Sequence, residues 1–198
     1  MTMSRRLTLA LSAPIAALTL SACGLNSVPE AQEAAKARWA DVQNEYQRRA
    51  DLIPNLVSTV KAAGAQEQGT LTKVTEARAR ATSINITTDD LSNPEEFKKF
   101  QDAQNQLTQA MGQLRTVVEA YPQLQTNQNF IGLQGQLEGT ENRIGIARRD
   151  YNAAVQAYNT RIRTFPDAIG AKIFHGAKPM IPFEAVSANA QVAPTVNF

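Results

Sequence analysis

Apolar positions recur along most of the chain at alternating steps of three and four. The first series runs Ala35, Trp39, Val42, Tyr46, Arg49, Ile53, Leu56 and Val60. It is a heptad seam in which only Arg49 is out of type. A shorter series, Leu71, Val74, Ala77 or Arg78, and Ala81, lies between Gln66 and Ser83, beyond Gly64 and near Gly69. It either continues the first helix or begins a second. The next series is Phe97, Phe100, Gln104, Leu107, Met111, Leu114, Val118 and Tyr121. The last is Phe130, Leu133, Leu137, Thr140, Ile144, Ala147, Tyr151, Ala154, Tyr158, Ile162 and Phe165. Seams several heptads long must bury against one another. The expected fold is therefore all-α: an elongated antiparallel bundle of three to four long helices with coiled-coil-like seams. No stretch alternates with period two for long enough to make a sheet.

Local signals place the ends. Pro29 opens the first helix, where its missing N–H costs nothing. Pro54 bends that helix without ending it, because the pattern continues in phase. Residues 84–91 are a loop rich in Thr, Asn and Asp. Ser92-Asn93-Pro94-Glu95 reads as a capping box with Ser92 as the cap. Pro122 stops the third series. The last helix starts near Asn127 and ends at Pro166, roughly 55–60 Å at 1.5 Å per residue. Gly132, Gly135 and Gly139 share one face of it, either for close helix approach or because that face is exposed. Pro179, Pro182 and Pro194 make residues 173–198 an extended tail, part of it docked.

The N-terminus reads differently. Arg5 and Arg6 precede an apolar run, Leu7 to Leu20, and Leu20-Ser21-Ala22-Cys23 follows. A basic start, a short apolar core and small residues at a cut point make a signal peptide. The run falls short of the ~20 apolar residues that span a bilayer. Leu20-Ser21-Ala22-Cys23 also resembles the lipobox of bacterial lipoproteins, which implies cleavage before Cys23 and acylation of Cys23. The expected organisation is a cleaved signal peptide at 1–22, a lipidated tether at 23–30, a helical bundle at 31–172 and the tail at 173–198. Gly24, where Asp would signal retention in the inner membrane, points to the outer membrane facing the periplasm in a Gram-negative cell. In other bacteria the site is the outer face of the plasma membrane.

Charge narrows the function classes. Arg5 and Arg6 leave with the leader, so the mature chain carries 18 basic and 18 acidic residues. The basic balance of the full chain therefore argues for no nucleic acid partner. Cys23 is the single Cys and His175 the single His. No internal disulfide is possible, and a zinc site lacks its ligands. No phosphate-binding loop, nucleophile elbow or zinc-protease motif occurs. No catalytic residue, metal or cofactor is expected.

Polar residues intrude on the seams at Arg48-Arg49-Ala50-Asp51-Leu52-Ile53-Pro54-Asn55 and again at Arg148-Arg149-Asp150-Tyr151-Asn152. A seam arginine is costly unless paired and hydrogen-bonded. One reading is a buried ion pair that sets helix register, with Glu76, Glu119 or Glu141 as partner. The other is a polar site for a small envelope ligand, a lipid or glycan fragment, around Arg49, Asp51 and Asn55. The candidate cluster is Arg48, Arg49, Asp51, Asn55, Glu76, Glu141, Arg148 and Asn152.

The run Arg48-Arg49-x-Asp51-Leu52-Ile53-Pro54-Asn55-Leu56-Val57 resembles the LemA family. So do Val74-Thr75-Glu76-Ala77-Arg78, Tyr121-Pro122, Glu141-Asn142-Arg143-Ile144-x-x-Ala147-Arg148, Tyr151-Asn152 and Tyr158-Asn159. The resemblance spans roughly residues 30 to 175. It implies a LemA-like antiparallel bundle projecting from a membrane, and it supplies no reaction. Many members keep an uncleaved N-terminal transmembrane helix, which a lipobox replaces here. The expected activity is a non-enzymatic scaffold or adaptor for an envelope or membrane protein partner. The mature protein extracted from its own membrane should begin at Cys23 and carry acyl chains. Intact mass beside a Cys23→Ala version checks this, and an unmodified chain that keeps Met1 would rule it out.

Overall fold

A computed structural model describes the backbone of residues 3–63 and 67–184, and the side chains from Asn26 onward. Cys23, the cleavage point, Gly64 and residues 185–198 lie outside these described side chains. The elements are α1 (Met3–Ala62), α2 (Gln68–Ser83), α3 (Pro94–Glu119), α4 (Pro122–Gln125), α5 (Gln128–Arg161) and α6 (Asp167–Ile173), with one 3-10 turn at Asp90–Ser92. Among the described residues there is no strand. No described helix is long and apolar enough to cross a membrane.

The four longer helices run up, down, up, down. Arg78 Nε of α2 donates to the Ala50 carbonyl of α1 at 2.6 Å, while Gln43 of α1 reaches Ile86 just past the end of α2. Thus α2 is a separate helix folded back on α1 rather than its continuation. α3 runs parallel to α1, with Phe97 and Phe100 against Trp39 and Gln104 against Arg49. α5 returns antiparallel to α1, pairing Tyr151 with Trp39, Arg143 with Glu45 and Arg161 with Ser27.

Every seam residue of the first series is buried, Arg49 included, at 1% exposure. The core is nevertheless two clusters. One holds Val28, Trp39, Tyr46, Phe97, Phe100, Ile144, Tyr151 and Tyr158, and is dense in aromatic rings. The other holds Ile53, Leu56, Val60, Leu71, Val74, Leu107, Leu114, Leu124 and Leu137, and is almost wholly aliphatic. Between them lie Arg49, Gln104 and Thr140, the three buried polar residues among those described.

Several boundaries differ from the sequence reading. Residues 26–30, expected as tether, are helical, and Val28 is fully buried, so Pro29 lies within α1 and does not open it. An apolar Val28 facing Tyr158 and Ala171 outweighs the break signal of Pro29. The cap of α3 is Asn93, not Ser92: its side chain accepts from the backbone N–H groups of Glu95 and Glu96. With Pro94 at the first helical position, the residue before it is pushed to extended backbone, which is the geometry of a cap. α5 begins behind the cap Asn127 as expected but ends at Arg161. Pro166 disfavours helix at Phe165, so the chain turns early and Phe165 is 76% exposed.

Gly132, Gly135 and Gly139 mark no close approach. A Cβ added at Gly132 or Gly135 would meet nothing within 4 Å, and at Gly139 only the Arg143 side chain at 3.6 Å. Gly132 and Gly135 are exposed and Gly139 is half-buried. Gly135→Ala should therefore stabilise the protein by up to about 1 kcal/mol through helix propensity. Urea denaturation checks this, and a lower midpoint would show that the face is packed.

Candidate functional site

The expected polar cluster divides into three sets. Arg49 and Glu141 meet in the polar layer. Arg49 Nη1 donates to Glu141 Oε1 at 2.9 Å and to Thr108 Oγ1 at 3.0 Å. Its Nη2 donates to Gln104 Oε1 at 2.6 Å and to the Gln104 carbonyl at 3.4 Å. Four of the five guanidinium donors are thereby spent on the chain itself, and Nε is buried without a partner. The Tyr46 ring lies 5.1 Å from the guanidinium carbon. Burial pushes the Tyr46 hydroxyl above its usual range, with the neighbouring guanidinium groups of Arg148 and Arg49 opposing the shift. Gln104 Nε2 donates onward to the Ala81 carbonyl of α2. One cation thus ties α1 to α3 and α5, and through Gln104 to α2. Alongside, Arg143 bridges Glu45 and the buried hydroxyl of Thr140.

The second set faces solvent. Arg48, Asp51, Asn55 and Glu76 are exposed. Gln47 donates to Asp51 on the surface, Ser58 and Thr59 donate to the Asn55 carbonyl, and Glu76 lies 3.7 Å from Arg80. None of the four reaches Arg49. On α1, positions 48, 51 and 55 are rotated away from the 46–49–53 stripe that meets the core.

The third set binds the chain's own C-terminal segment. Residues 177–184 run extended along α5. Asn152 Nδ2 donates to the Phe183 carbonyl at 3.0 Å while the Phe183 N–H donates to Asn152 Oδ1 at 2.8 Å. Asn159 repeats the exchange with Met180, at 2.8 and 2.9 Å. Tyr151 donates to the Ile181 carbonyl at 3.0 Å and Tyr158 to the Lys178 carbonyl at 3.1 Å. The match is one of rise. Two Tyr-Asn pairs seven residues apart on a helix are separated by ~10.5 Å, and three extended residues span about 10 Å. Pro179 and Pro182 sit at the positions between, where no acceptor waits for an N–H. Burial raises the Tyr151 hydroxyl above its usual range, so it remains a donor at any physiological pH. Arg148 closes the end of the segment, over the Phe183 ring at 4.5 Å and donating to the Glu184 carbonyl.

Gln104, Thr108, Thr140, Tyr151, Tyr158 and Asn159 were not among the expected site residues. Gln104 and Thr140 carried a usable signal, since both are polar residues standing in apolar seams as Arg49 does. The Tyr-Asn repeat was visible as a motif, but its partner segment has no periodicity to reveal it. Among the described residues no three His, Cys, Asp or Glu side chains gather.

Two hollows adjoin the layer. A small one of about 210 Å³ is lined by Tyr46, Arg49, Gln104, Thr108, Glu141 and Arg148. Below it, α3 and α5 scarcely pack on each other and are bridged by α4. They leave an apolar groove of about 670 Å³ floored by Leu56, Met111, Leu114, Val118, Phe130 and Leu137.

The model of the LemA family matches residues 38–198. The chain is 27% identical over 121 residues to protein LemA of Metamycoplasma hominis, covering 61% of this chain and 51% of that protein. It is 40% identical over 57 residues to magnetosome protein MamQ 2 of Paramagnetospirillum magneticum, covering 29% of this chain and 21% of that protein. The chain thus spans between a fifth and a half of the length of these relatives.

Arg49→Ala should lower the unfolding free energy by roughly 3 kcal/mol. That is the low end of the ~3–5 kcal/mol for breaking a buried pair, because the Glu141 side chain is 40% exposed and can turn to water. Asp51→Ala should change it by less than about 0.5 kcal/mol. Denaturant unfolding of both checks the pair, and equal midpoints would remove Arg49 from any structural role.

Proposed function

The chain belongs to the LemA family, and on that premise we propose that it is a non-enzymatic envelope lipoprotein, tethered through lipid on Cys23, whose bundle is a scaffold for a membrane protein partner. The observation that carries this reading is the closure of the polar layer. Arg49 is 1% exposed and spends four donors internally, which supports a structural role over a ligand-binding one for this buried charge. Beside that rigid layer the apolar groove between α3 and α5 is open. It measures about 670 Å³. Arg115, Glu119 and Glu138 rim it, giving an apolar floor with a charged edge. This is the anatomy of a protein–protein contact.

The reading of a small-ligand site at Arg49, Asp51 and Asn55 has less support. Asp51 and Asn55 face solvent elsewhere. The hollow at Arg49 is about 210 Å³, below the ~300 Å³ at which ligand pockets begin. In a Gram-negative cell the scaffold would stand on the outer membrane facing the periplasm, and otherwise on the outer face of the plasma membrane.

A photo-crosslinking amino acid at Met111, half-buried in the groove, should yield a discrete adduct with a membrane protein in intact envelopes. The same residue at Ala79, exposed on α2, should not. Repeated absence of any adduct at Met111 would sink the scaffold reading.

A further inference from the structure

The end of the bundle where α1 enters the core is unusually apolar on its outside. Phe165, Ile169, Ile173 and Phe174 are 76%, 53%, 68% and 67% exposed. Elsewhere among the described residues the exposed large hydrophobics are Ile131 and Ile146, at 45% and 41%, and they lie fifteen residues apart along α5. Within α6, Gly170 and Ala171 turn inward, Ala171 joining the cluster of Val28 and Tyr158, while Ile169 and Ile173 lie one turn apart on the outside. The small residues of this helix are in and the large ones are out, the reverse of a helix that packs only on its own core. Apolar groups gathered in this way mark a contact surface.

Charge names the contact. Arg161, Arg163, Lys172 and Lys178 are exposed in the same stretch of chain, where between residues 161 and 178 the one acid is the half-buried Asp167; α1 beside it adds the exposed Glu30. Over the whole chain the two signs nearly balance, at 20 to 18. Bulky apolar groups accompanied by cations fit the boundary between acyl chains and anionic headgroups. Position agrees. Arg161 Nη1 donates to the Ser27 carbonyl at 3.1 Å, and Ser27 lies four residues, ~6 Å of helix, from Cys23.

We propose that Phe165, Ile169, Ile173 and Phe174, together with Arg161, Arg163, Lys172 and Lys178, form a foot that seats in the headgroup region of an anionic bilayer. The proposal rests on the membrane-anchored reading for its geometry, and the surface has its own affinity. Seated this way, α1 stands away from the bilayer. The groove at Leu56 is then lifted roughly 40 Å, the rise of the helix from Val28, towards a partner's extramembrane part.

The test places tryptophan at the foot, as Phe174→Trp and separately as Phe165→Trp, in the full chain and in its Cys23→Ala version. Trp39 is 1% exposed in the core and contributes a constant background. Vesicles of phosphatidylcholine with phosphatidylglycerol should shift the new emission to the blue, and brominated acyl chains should quench it in both chains. High salt should weaken the effect, and Ile169→Ser with Ile173→Ser should weaken partitioning at least about tenfold. A foot tryptophan that stays in water while the protein sediments with vesicles would overturn the foot and leave the lipid anchor standing. An unacylated Cys23 with quenching intact would do the reverse. A blue shift that appears without vesicles and grows with protein concentration would assign the patch to a second copy and overturn the proposal.

Discussion

A single cation in the middle of an apolar bundle constrains everything around it. Arg49 occupies a position that the heptad pattern reserves for an aliphatic residue, and burial of its charge must be offset by hydrogen bonds from three directions. Gln104 and Thr108 of α3 and Glu141 of α5 supply them. These partners are themselves polar residues at or beside core positions, and Gln104 is tolerable only because Arg49 and the Ala81 carbonyl use both ends of its amide. Sliding α3 by one heptad would put Phe97 or Met111 in the place of Gln104, and sliding α5 would put Gln134 or Arg148, neither a countercharge, in the place of Glu141. The layer therefore sets the register of the helices, while the hydrophobic clusters above and below supply most of the stabilising burial.

Those clusters are built differently because the walls around them differ. The aliphatic half is enclosed by α1, α2, α3 and α5. The aromatic half lies beyond the reach of the short α2, and α6 with the extended segment 177–184 completes it. An extended segment beside a helix has no ladder to satisfy its backbone, and a buried unsatisfied N–H or carbonyl is costly. The two Tyr-Asn pairs take the place of a neighbouring strand. Phe183 and Met180 can then be buried against Trp39, Phe97 and Tyr151 without leaving polar backbone stranded.

The functional surfaces follow from this division. The polar chemistry is turned inward and used for register. What the outside offers lies at opposite ends: an apolar groove where α3 and α5 splay around α4, and an apolar, basic foot beside the start of the core. On the proposed reading, one end would face the bilayer and the other a partner, and the bundle would hold that partner at a fixed height above the membrane.

The helices, their approximate ends and their burial stripes were legible in the sequence, because a stripe of apolar residues at period 3.5 can be satisfied only by a helix packed on its neighbours. Arg49 and Glu141 could be named as candidates for the same reason: a charge in a seam needs a countercharge. Which carboxylate it meets was not legible, since Glu76, Glu119 and Glu141 are equivalent until the helices have a relative height. Nor could Asp51 and Asn55 be separated from Arg49 by proximity in sequence, because a helix sends neighbours to different faces. The cap at Asn93, the helical run through Pro29 and the docking of 177–184 likewise needed the fold. Each depends on what lies across the chain from it. Periodicity encodes which face a helix buries, and only packing decides what that face meets.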